Sequence, residues 1–289
     1  MDIPIALGLL NIYSTNKLYG DDFMTNSTLS LEGKKILITG VSRPLGIGAT
    51  LAKRFAEAGA SVAVHGFSVF DLTVGNHSSA ISNGTKVIAK QLSDSGLSVT
   101  AVTTSDLEKK GHAEKAIEEA TEKLNGLDGL ILCHAYGVYR EMGTWTAEHI
   151  NSHLLVNVTA SMMMIQSFAN LADTTRDNAI TTFTSGQYKH IETNLMAYSV
   201  SKDATICLTR GTAQLLGDKN IRVNCIDPGP NDTAYCFGEE YDAVAKTFPS
   251  GRWGTPDDTA DLALFLHSTY AKWITGQVIA SHGGSKLEF

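Results

Sequence analysis

The residue types that could do chemistry are most concentrated around Tyr198. Lys202 follows it four residues later in Ala-Tyr-Ser-Val-Ser-Lys, and Ser185 precedes it by thirteen residues. This stretch lacks Gly and Pro, so it can be helical, and residues i and i+4 then share one face. An ammonium beside a phenol favours the phenolate, whose ordinary pKa is about 10. Such a phenol can give a proton to a ketone oxygen or take one from an alcohol, while Ser185 holds the same oxygen.

A glycine-rich turn stands near the start of the chain, between an apolar run that ends at Gly40 and a segment, 49–58, with the spacing of an amphipathic helix. Strand, turn and helix in this order favour a phosphate-binding turn. The glycines let backbone amides approach a pyrophosphate, and the helix N-terminus adds partial positive charge. An ordinary glycine-rich connection is the alternative. The turn reads Val41-Ser42-Arg43-Pro44-Leu45-Gly46-Ile47-Gly48.

Length and composition fit one catalytic domain. The chain has 289 residues, 43% hydrophobic and 18% charged, as in an ordinary protein that can bury a full core. Its formal net charge of −7, without a Lys/Arg-rich stretch in the sequence, argues against nucleic acid as a partner. The four cysteines show neither Cys-x2-Cys spacing nor pairing with histidine, so they predict reduced thiols in a cytoplasmic protein and no metal site. His65 and His134 are expected to be hydrogen-bonded structural residues.

The first thirty residues are interpreted as a leader outside the core, and residues 31–289 as the domain. Residues 3–10 are apolar but too few to span a bilayer. A basic residue before them and a small-residue cleavage site after them would indicate a secretory signal, and the sequence has neither. We therefore expect no membrane partner.

Downstream of the glycine turn, short β-branched runs alternate with helix-like segments. Strands separated by helices imply right-handed crossovers and a parallel sheet covered on both faces. The sequence therefore predicts a three-layer α/β fold, with a doubly wound parallel sheet of about seven strands and a ligand site beyond the strand carboxyl ends. The further predicted strands are 61–64, 99–103, 130–133, 180–184, 222–226 and 277–280, and the predicted helices are 85–92, 111–124, 147–171, 196–216 and 257–266, with a loop over 66–82.

The order of these motifs resembles that of the short-chain dehydrogenase/reductase family, over residues 31–284. The resemblance implies a Rossmann fold and NAD(P)-dependent interconversion of a ketone and a secondary alcohol. After the glycine turn, its landmarks are Ser105-Asp106-Leu107, Asp128-Gly129-Leu130-Ile131-Leu132, Asn157, Ser185, Tyr198-x3-Lys202, Asp227-Pro228-Gly229-Pro230-Asn231-Asp232-Thr233, the segment 273–279 and Gly283-Gly284.

The resemblance also implies a role for each matching position. Tyr198 is the general acid/base, Lys202 assists it and binds the nicotinamide ribose, Ser185 orients the substrate oxygen, and Asn157 interrupts its helix to hold a water of a proton relay. Asp106 would accept from the adenine amino group. A cap on the following helix is the alternative for Asp106, and an exposed polar position is the alternative for Asn157. The expected cofactor-binding residues are Gly40, Ser42, Arg43, Gly46, Ile47, Gly48, Asp106, Leu107, Tyr198, Lys202, Pro228, Gly229, Asn231 and Thr233.

Two features depart from the family pattern. Five residues separate Gly40 from Gly46, where three are usual, so the turn is enlarged and Arg43 is expected to reach the adenosine phosphate or ribose. The stretch Cys133-His134-Ala135-Tyr136 stands where Asn-Asn-Ala-Gly is usual. It lacks a bracing asparagine and has Tyr136 where a glycine gives the cofactor room. The geometry beside the nicotinamide ribose is therefore expected to differ.

The end of the second predicted strand bears on the choice of cofactor. A carboxylate there favours NAD, whereas basic and hydroxyl groups accommodate the 2′-phosphate of NADP. The segment reads Val64-His65-Gly66-Phe67-Ser68, and the next acidic residue is Asp71. NADP is modestly favoured over NAD.

The segment that follows Thr233 bears on the substrate. Tyr235, Phe237, Tyr241 and Phe248 make the segment 234–250 partly aromatic, which indicates an apolar or extended substrate. The pattern is most similar to bacterial 3-oxoacyl-(acyl-carrier-protein) reductase-like members, although the sequence has no basic cluster for an acidic carrier protein. Enoyl-thioester reductases share the enlarged turn, but the resemblance gives them a wider Tyr–Lys spacing.

A non-catalytic NAD(P)-binding sensor or scaffold on the same fold is the alternative function. It predicts loss of one or more of Ser185, Tyr198, Lys202 and Asn157, and all four are present. The resemblance further implies a homo-oligomer, a tetramer or a dimer. The sequence thus predicts an oxidoreductase that acts on a small-molecule carbonyl or alcohol.

Overall fold

A computed structural model describes residues 29–75, 77–188 and 191–284 of the protein. Seven parallel strands form one sheet in the order β3-β2-β1-β4-β5-β6-β7. The chain builds outward from β1 to β3 and then crosses back to β4, so the switch point of the sheet lies between β1 and β4. The strands are β1 (Lys35–Ile38), β2 (Ser61–Val64), β3 (Val99–Ala101), β4 (Gly129–Leu132), β5 (Asn178–Phe183), β6 (Ile221–Asp227) and β7 (Val278–Ala280).

Helices cover both faces of this sheet, which confirms the predicted three-layer α/β fold. They are α1 (Ile47–Glu57), α2 (Ser68–Thr73), α3 (Gly84–Asp94), α4 (His112–Leu124), α5 (Ala147–Leu154), α6 (Ala160–Leu171), α7 (Met196–Leu216), α8 (Gly238–Ala245) and α9 (Pro256–His267). The helices α1, α3 and α9 pack on one face and α4, α6 and α7 on the other. Phe55 of α1 and Phe168 of α6 are fully buried, and such burial stabilises a fold by roughly 2–3 kcal/mol for each side chain.

Two helices were not assigned from the sequence, and a third helix is interrupted where the resemblance implies a break. The predicted loop 66–82 contains α2, and Ser68 Oγ accepts from the Gly84 backbone N at 2.9 Å, which joins α2 to α3. The segment 234–250 contains α8. The predicted helix 147–171 is divided by a π-helical turn, Leu155–Thr159, around the buried Asn157. The other predicted elements end within two residues of the observed ones.

The predicted leader, residues 1–30, lies almost wholly outside the described residues. Leu29 is described, and it packs against the same core as the buried Leu31. The domain boundary at residue 31 stays a prediction.

One helical stretch of the described residues, Ala147–Leu171, has the length and composition of a membrane-crossing helix. Its Met164, Ile165 and Phe168 lie in the core, and the buried Asn157 interrupts it. The apolar residues of this stretch are thus explained by its packing, because they form the inner face of a core helix.

Three buried histidines, His65, His134 and His267, each make a hydrogen bond with a hydroxyl group at 2.7–3.1 Å. Burial lowers the pKa of His65 to about 4 and the pKa values of His134 and His267 to about 3. All three are therefore neutral at pH 7. The structural role expected for His65 and His134 fits these contacts.

We expect the free energy of unfolding to fall when the pH is lowered from about 7 to about 5. In the unfolded chain each of these histidines takes up a proton near its ordinary pKa of about 6.5, whereas in the folded protein it resists protonation until the pH approaches its lowered pKa. The contribution of each histidine to the free energy of unfolding is thus fully present above that ordinary pKa. It falls by roughly 2 kcal/mol for each histidine by pH ~5.

Urea unfolding at the two pH values measures this loss. His267→Gln keeps a hydrogen-bonding group at Thr181 and should reduce the pH dependence by the share of this one histidine, roughly 2 kcal/mol. Equal free energies of unfolding at the two pH values would contradict the account.

Candidate active site

A cavity of 760 Å³ opens at the carboxyl ends of the strands, around the switch point between β1 and β4. Ser185 and Tyr198 lie on its wall, whereas Lys202 and Asn157 are buried behind the wall. The fold thus brings together residues from well-separated parts of the sequence. The predicted cofactor residues on the wall, besides Tyr198, are Gly40, Ser42, Arg43, Gly46, Ile47, Gly48, Asp106, Leu107, Pro228, Gly229, Asn231 and Thr233.

Tyr198 and Lys202 lie in the first turns of α7, as the sequence predicts. The Lys202 Nζ donates to the carbonyl of Phe183, the last residue of β5, at 2.9 Å, and it lies 5.4 Å from the centroid of the Tyr198 ring. Thr184 Oγ1 donates to the Lys202 carbonyl at 3.0 Å, which fixes the start of α7 against the end of β5. An unpaired charge in the interior is costly, so these contacts are what keep a buried cation beside the phenol.

Asn157 is held in the π-helical turn by three hydrogen bonds of its side-chain amide. Its Oδ1 accepts from Tyr136 N at 2.7 Å, and its Nδ2 donates to Tyr136 O at 2.9 Å and to Ser201 Oγ at 2.8 Å. Single π turns inside helices are frequent at functional sites. The amide fixes the loop after β4 against α7, next to Lys202. The alternative prediction, that Asn157 is exposed, is therefore wrong. The water-holding role of Asn157 stays a prediction.

His134 takes over the bracing that the sequence analysis expects to be lost with the asparagine. Its Nδ1 lies 2.7 Å from Thr39 Oγ1, just after β1, and its Nε2 contacts the carbonyl of Val156 at 3.1 Å. In the tautomer that donates from Nε2, the neutral imidazole links the end of β1 to the π-helical turn.

The Tyr136 ring packs away from Tyr198. It lies between the rings of Phe70 and His153, at centroid distances of 4.9 and 4.8 Å. Gly137 follows and lies against the Tyr198 ring, where a β-carbon would meet Cδ2 at 3.3 Å. A side chain on Gly137 would thus crowd the Tyr198 ring.

The glycine turn is packed too closely for side chains. A β-carbon on Gly40 would lie 2.6 Å from the Cys133 carbonyl oxygen, and one on Gly48 would lie 2.5 Å from the Gly40 carbonyl oxygen. Gly46 is the N-cap of α1 and makes no side-chain capping bond. The first backbone amides of α1 are thus available at the cavity wall to an anion. These residues fit the pyrophosphate of a dinucleotide.

Arg43 is paired with a carboxylate that the sequence analysis did not assign to the site. Its Nε lies 3.4 Å from Asp71 Oδ1, and Asp71 belongs to α2, which forms part of the cavity wall. The Arg43 Nη1 is buried and has no hydrogen-bond partner among the described residues. Such a guanidinium nitrogen fits an anionic group, so the phosphates of a dinucleotide suit this wall.

The other predicted cofactor residues are held by their own loops. Asp106 Oδ1 accepts from Glu108 N at 3.0 Å and closes a turn, while α4 begins at His112. The alternative prediction, that Asp106 caps α4, is therefore wrong. Asn231 Nδ2 donates to the carbonyl of Pro228 at 2.7 Å, which shapes the loop after β6.

Five further residues line the cavity from the segments that follow β4, β5 and β6. They are Tyr139, Ser152, Glu192, Leu195 and Tyr235. Only Tyr235 was expected from the sequence, because the other four residues follow no spacing that would mark them. In the part of the chain that the structure describes, no group of three His, Cys, Asp or Glu side chains is placed to hold a metal ion.

Known proteins share this architecture. A family model described as enoyl-(acyl carrier protein) reductase matches residues 40–286. The chain is 32% identical over 272 residues to a 7alpha-hydroxysteroid dehydrogenase of Escherichia coli, covering 92% of this chain and 99% of that protein. It is 29% identical over 265 residues to a 3-oxoacyl-(acyl-carrier-protein) reductase of Aquifex aeolicus, covering 89% and 98%. A solved short-chain dehydrogenase of Burkholderia cenocepacia in complex with NADP has a TM-score of 0.74 and 27% identity, covering 86% and 96%.

We expect Asn157→Ala to destabilise the fold by roughly 2–4 kcal/mol, because it removes three buried hydrogen bonds and leaves both backbone groups of Tyr136 without this partner. Thermal unfolding measures the change. Asn151→Ala, at an exposed position of α5, is the matched control and should leave the Tm unchanged. Equal Tm values for the two variants would contradict the role given to the amide.

Proposed function

This chain belongs to the short-chain dehydrogenase/reductase family, and we propose that it interconverts a ketone and a secondary alcohol with NADP or NAD. The observation that carries this proposal is the Lys202 ammonium, buried between the Phe183 carbonyl and the Tyr198 ring, with Ser185 on the same cavity wall. The nicotinamide dinucleotide, when bound, supplies or accepts the hydride.

The residues of this chain then hold the substrate oxygen and move its proton. The Tyr198 hydroxyl gives a proton to the ketone oxygen in reduction, or takes one from the alcohol in oxidation. Ser185 donates a hydrogen bond to the same oxygen. Lys202 stabilises the charge that develops on the phenol oxygen. Asn157 keeps the Tyr136 loop against α7, so that Gly137 can pack against the Tyr198 ring.

For the substrate we propose a ketone or alcohol on an apolar or extended body. Tyr235 and Phe237 stand just before α8, and both are exposed. Tyr235 lines the cavity. A 3-oxoacyl thioester is one member of this class, supported by the similarity to the Aquifex aeolicus reductase. A hydroxysteroid is another, supported by the similarity to the Escherichia coli dehydrogenase.

Reduction of an enoyl double bond is the competing activity, because the matching family model carries that description. Tyr198 and Lys202 are one turn apart in α7. This favours the ketone reaction, because the resemblance implies a wider Tyr–Lys spacing in enoyl-thioester reductases. A paired assay of a ketone and an enone with the same carbon skeleton separates the two, since consumption of NADPH with the enone alone would favour the enoyl activity.

We also propose a homo-oligomer and a cytoplasmic location. Leu155 and Met162 of the 147–171 stretch are substantially exposed, and Trp273 is fully exposed, which supports contact with a second copy of the chain. The four unpaired cysteines support a reducing compartment. Light scattering after size-exclusion chromatography measures the number of subunits.

The preference for NADP over NAD is proposed to depend on the Arg43–Asp71 pair. Arg43 offers a buried, unpartnered Nη1 to a 2′-phosphate, but Asp71 occupies its Nε side and repels an anion. The modest preference for NADP predicted from the sequence therefore has a counterweight that α2 supplies.

We expect Asp71→Asn to tighten NADPH binding relative to NADH binding by about tenfold, because it removes the carboxylate next to Arg43 and keeps the shape of the side chain. Fluorescence titration of each nucleotide gives the two Kd values without turnover. Asp218→Asn, which removes an exposed carboxylate from the connection that precedes β6, is the control. An unchanged ratio of Kd values in Asp71→Asn would exclude this role for Asp71.

We expect Tyr198→Phe to lower kcat for ketone reduction by about three orders of magnitude, because the proton donor is lost. NADPH binding should stay within about twofold of wild type, since the ring remains. The assay follows NADPH absorbance with a panel of ketones. Wild-type protein that binds NADPH and reduces no ketone in a broad panel would favour the non-catalytic sensor or scaffold, and full activity in Tyr198→Phe would refute the proposed mechanism.

A further inference from the structure

The segments after β4 and β5 meet beside Tyr198. Gly137 lies against the Tyr198 ring, and three residues later Arg140 N donates to the carbonyl of Asn194 at 2.7 Å. Tyr139 therefore stands between the catalytic tyrosine and the 191–195 segment. Tyr139 and Glu192 both line the cavity.

Glu192 and Tyr139 act on each other electrostatically. Partial burial raises the pKa of the Tyr139 phenol, and the negative charge of the nearby Glu192 carboxylate raises it further. Glu240 of α8 adds to the same effect. A carboxylate has about four acceptor positions, and Glu192 lines the cavity, so it can accept a hydrogen bond from a donor there.

The charges of the wall favour a donor over an anion at this position. Among the described residues that line the cavity, Arg43 is the one Lys or Arg, and it lies in the turn after β1, away from the β5 side where Glu192 lies. Lys202 is buried behind Tyr198. Among the described residues of that part of the wall, an anionic group next to Glu192 would thus meet a carboxylate and no Lys or Arg, whereas an N–H or O–H group would gain a charge-assisted hydrogen bond.

We propose that Glu192, on the cavity wall with Tyr139, binds a hydroxyl or ammonium group of the substrate that is remote from the reacting carbon. This inference rests on the proposed function, in which Tyr198 acts on a ketone or alcohol in the same cavity. It selects, within the class of extended substrates, uncharged hydroxylated or cationic compounds over anionic ones such as carboxylates and phosphorylated thioesters.

The test uses four ketones of one shape that differ only at the remote end: para-(aminomethyl)acetophenone, para-(hydroxymethyl)acetophenone, para-ethylacetophenone and para-acetylbenzoate. Each is titrated calorimetrically into the protein saturated with NADP+, a combination in which no reduction can occur. We expect the ammonium and hydroxyl probes to bind about fivefold more tightly than the ethyl probe, and the carboxylate probe about fivefold more weakly.

Two substitutions separate charge from hydrogen bonding. Glu192→Gln keeps an acceptor and removes the charge, so it should bring the ammonium and carboxylate probes to within about twofold of the ethyl probe and leave the preference for the hydroxyl probe. Glu192→Ala should remove that preference as well. Glu118→Gln, at an exposed position of α4, removes one negative charge as well and should behave as wild type.

The two proposals fail in different ways. If wild-type protein reduces para-ethylacetophenone but the Glu192 variants keep the wild-type order of probe affinities, the role of Glu192 is refuted and the ketone reductase stands. If the probes bind in the expected order but NADPH reduces none of them, Glu192 keeps its role as a binding residue and the proposed reaction fails. Equal wild-type affinities for all four probes would also refute the role of Glu192.

Discussion

The site depends above all on holding one ammonium group, that of Lys202, inside the protein. A buried charge without partners is costly, and here the partner is a main-chain carbonyl, that of Phe183 at the end of β5. A carbonyl in this position requires a strand that ends under the first turns of α7, and Thr184 Oγ1 holds that helix in place through the Lys202 carbonyl. The parallel sheet therefore does more than support the site, because the end of one strand supplies the contact that keeps the cation beside Tyr198.

The loops around this group are fixed by buried polar side chains. His134 connects the end of β1 to the π-helical turn, and Asn157 connects that turn to the Tyr136 backbone and to Ser201. The close contact of Gly40 with the Cys133 carbonyl joins the two loops at the switch point. Because these contacts lie within the protein, the walls are organised before a ligand enters, which limits the reorganisation that the reaction needs.

The sequence predicted the parts of this structure that leave a periodic or spaced signal. Alternating strands and helices predicted the sheet, and the four-residue spacing of Tyr198 and Lys202 predicted their common helix face. The six residues of α2 are too few to show helical periodicity, so the segment read as a loop and the Arg43–Asp71 contact was missed. That contact joins segments that follow different strands, and so does the contact of Gly137 with the Tyr198 ring. Only tertiary packing brings such residues together.

The most direct measurement of the central claim is a crystal structure of the protein with NADP+ and a secondary alcohol bound. The account predicts that Tyr198 Oη and Ser185 Oγ both lie within hydrogen-bond distance, about 2.6–3.2 Å, of the same alcohol oxygen, while Lys202 Nζ still contacts the Phe183 carbonyl. An alcohol oxygen that contacts neither hydroxyl, or a Lys202 side chain turned toward bulk solvent in the complex, would contradict it.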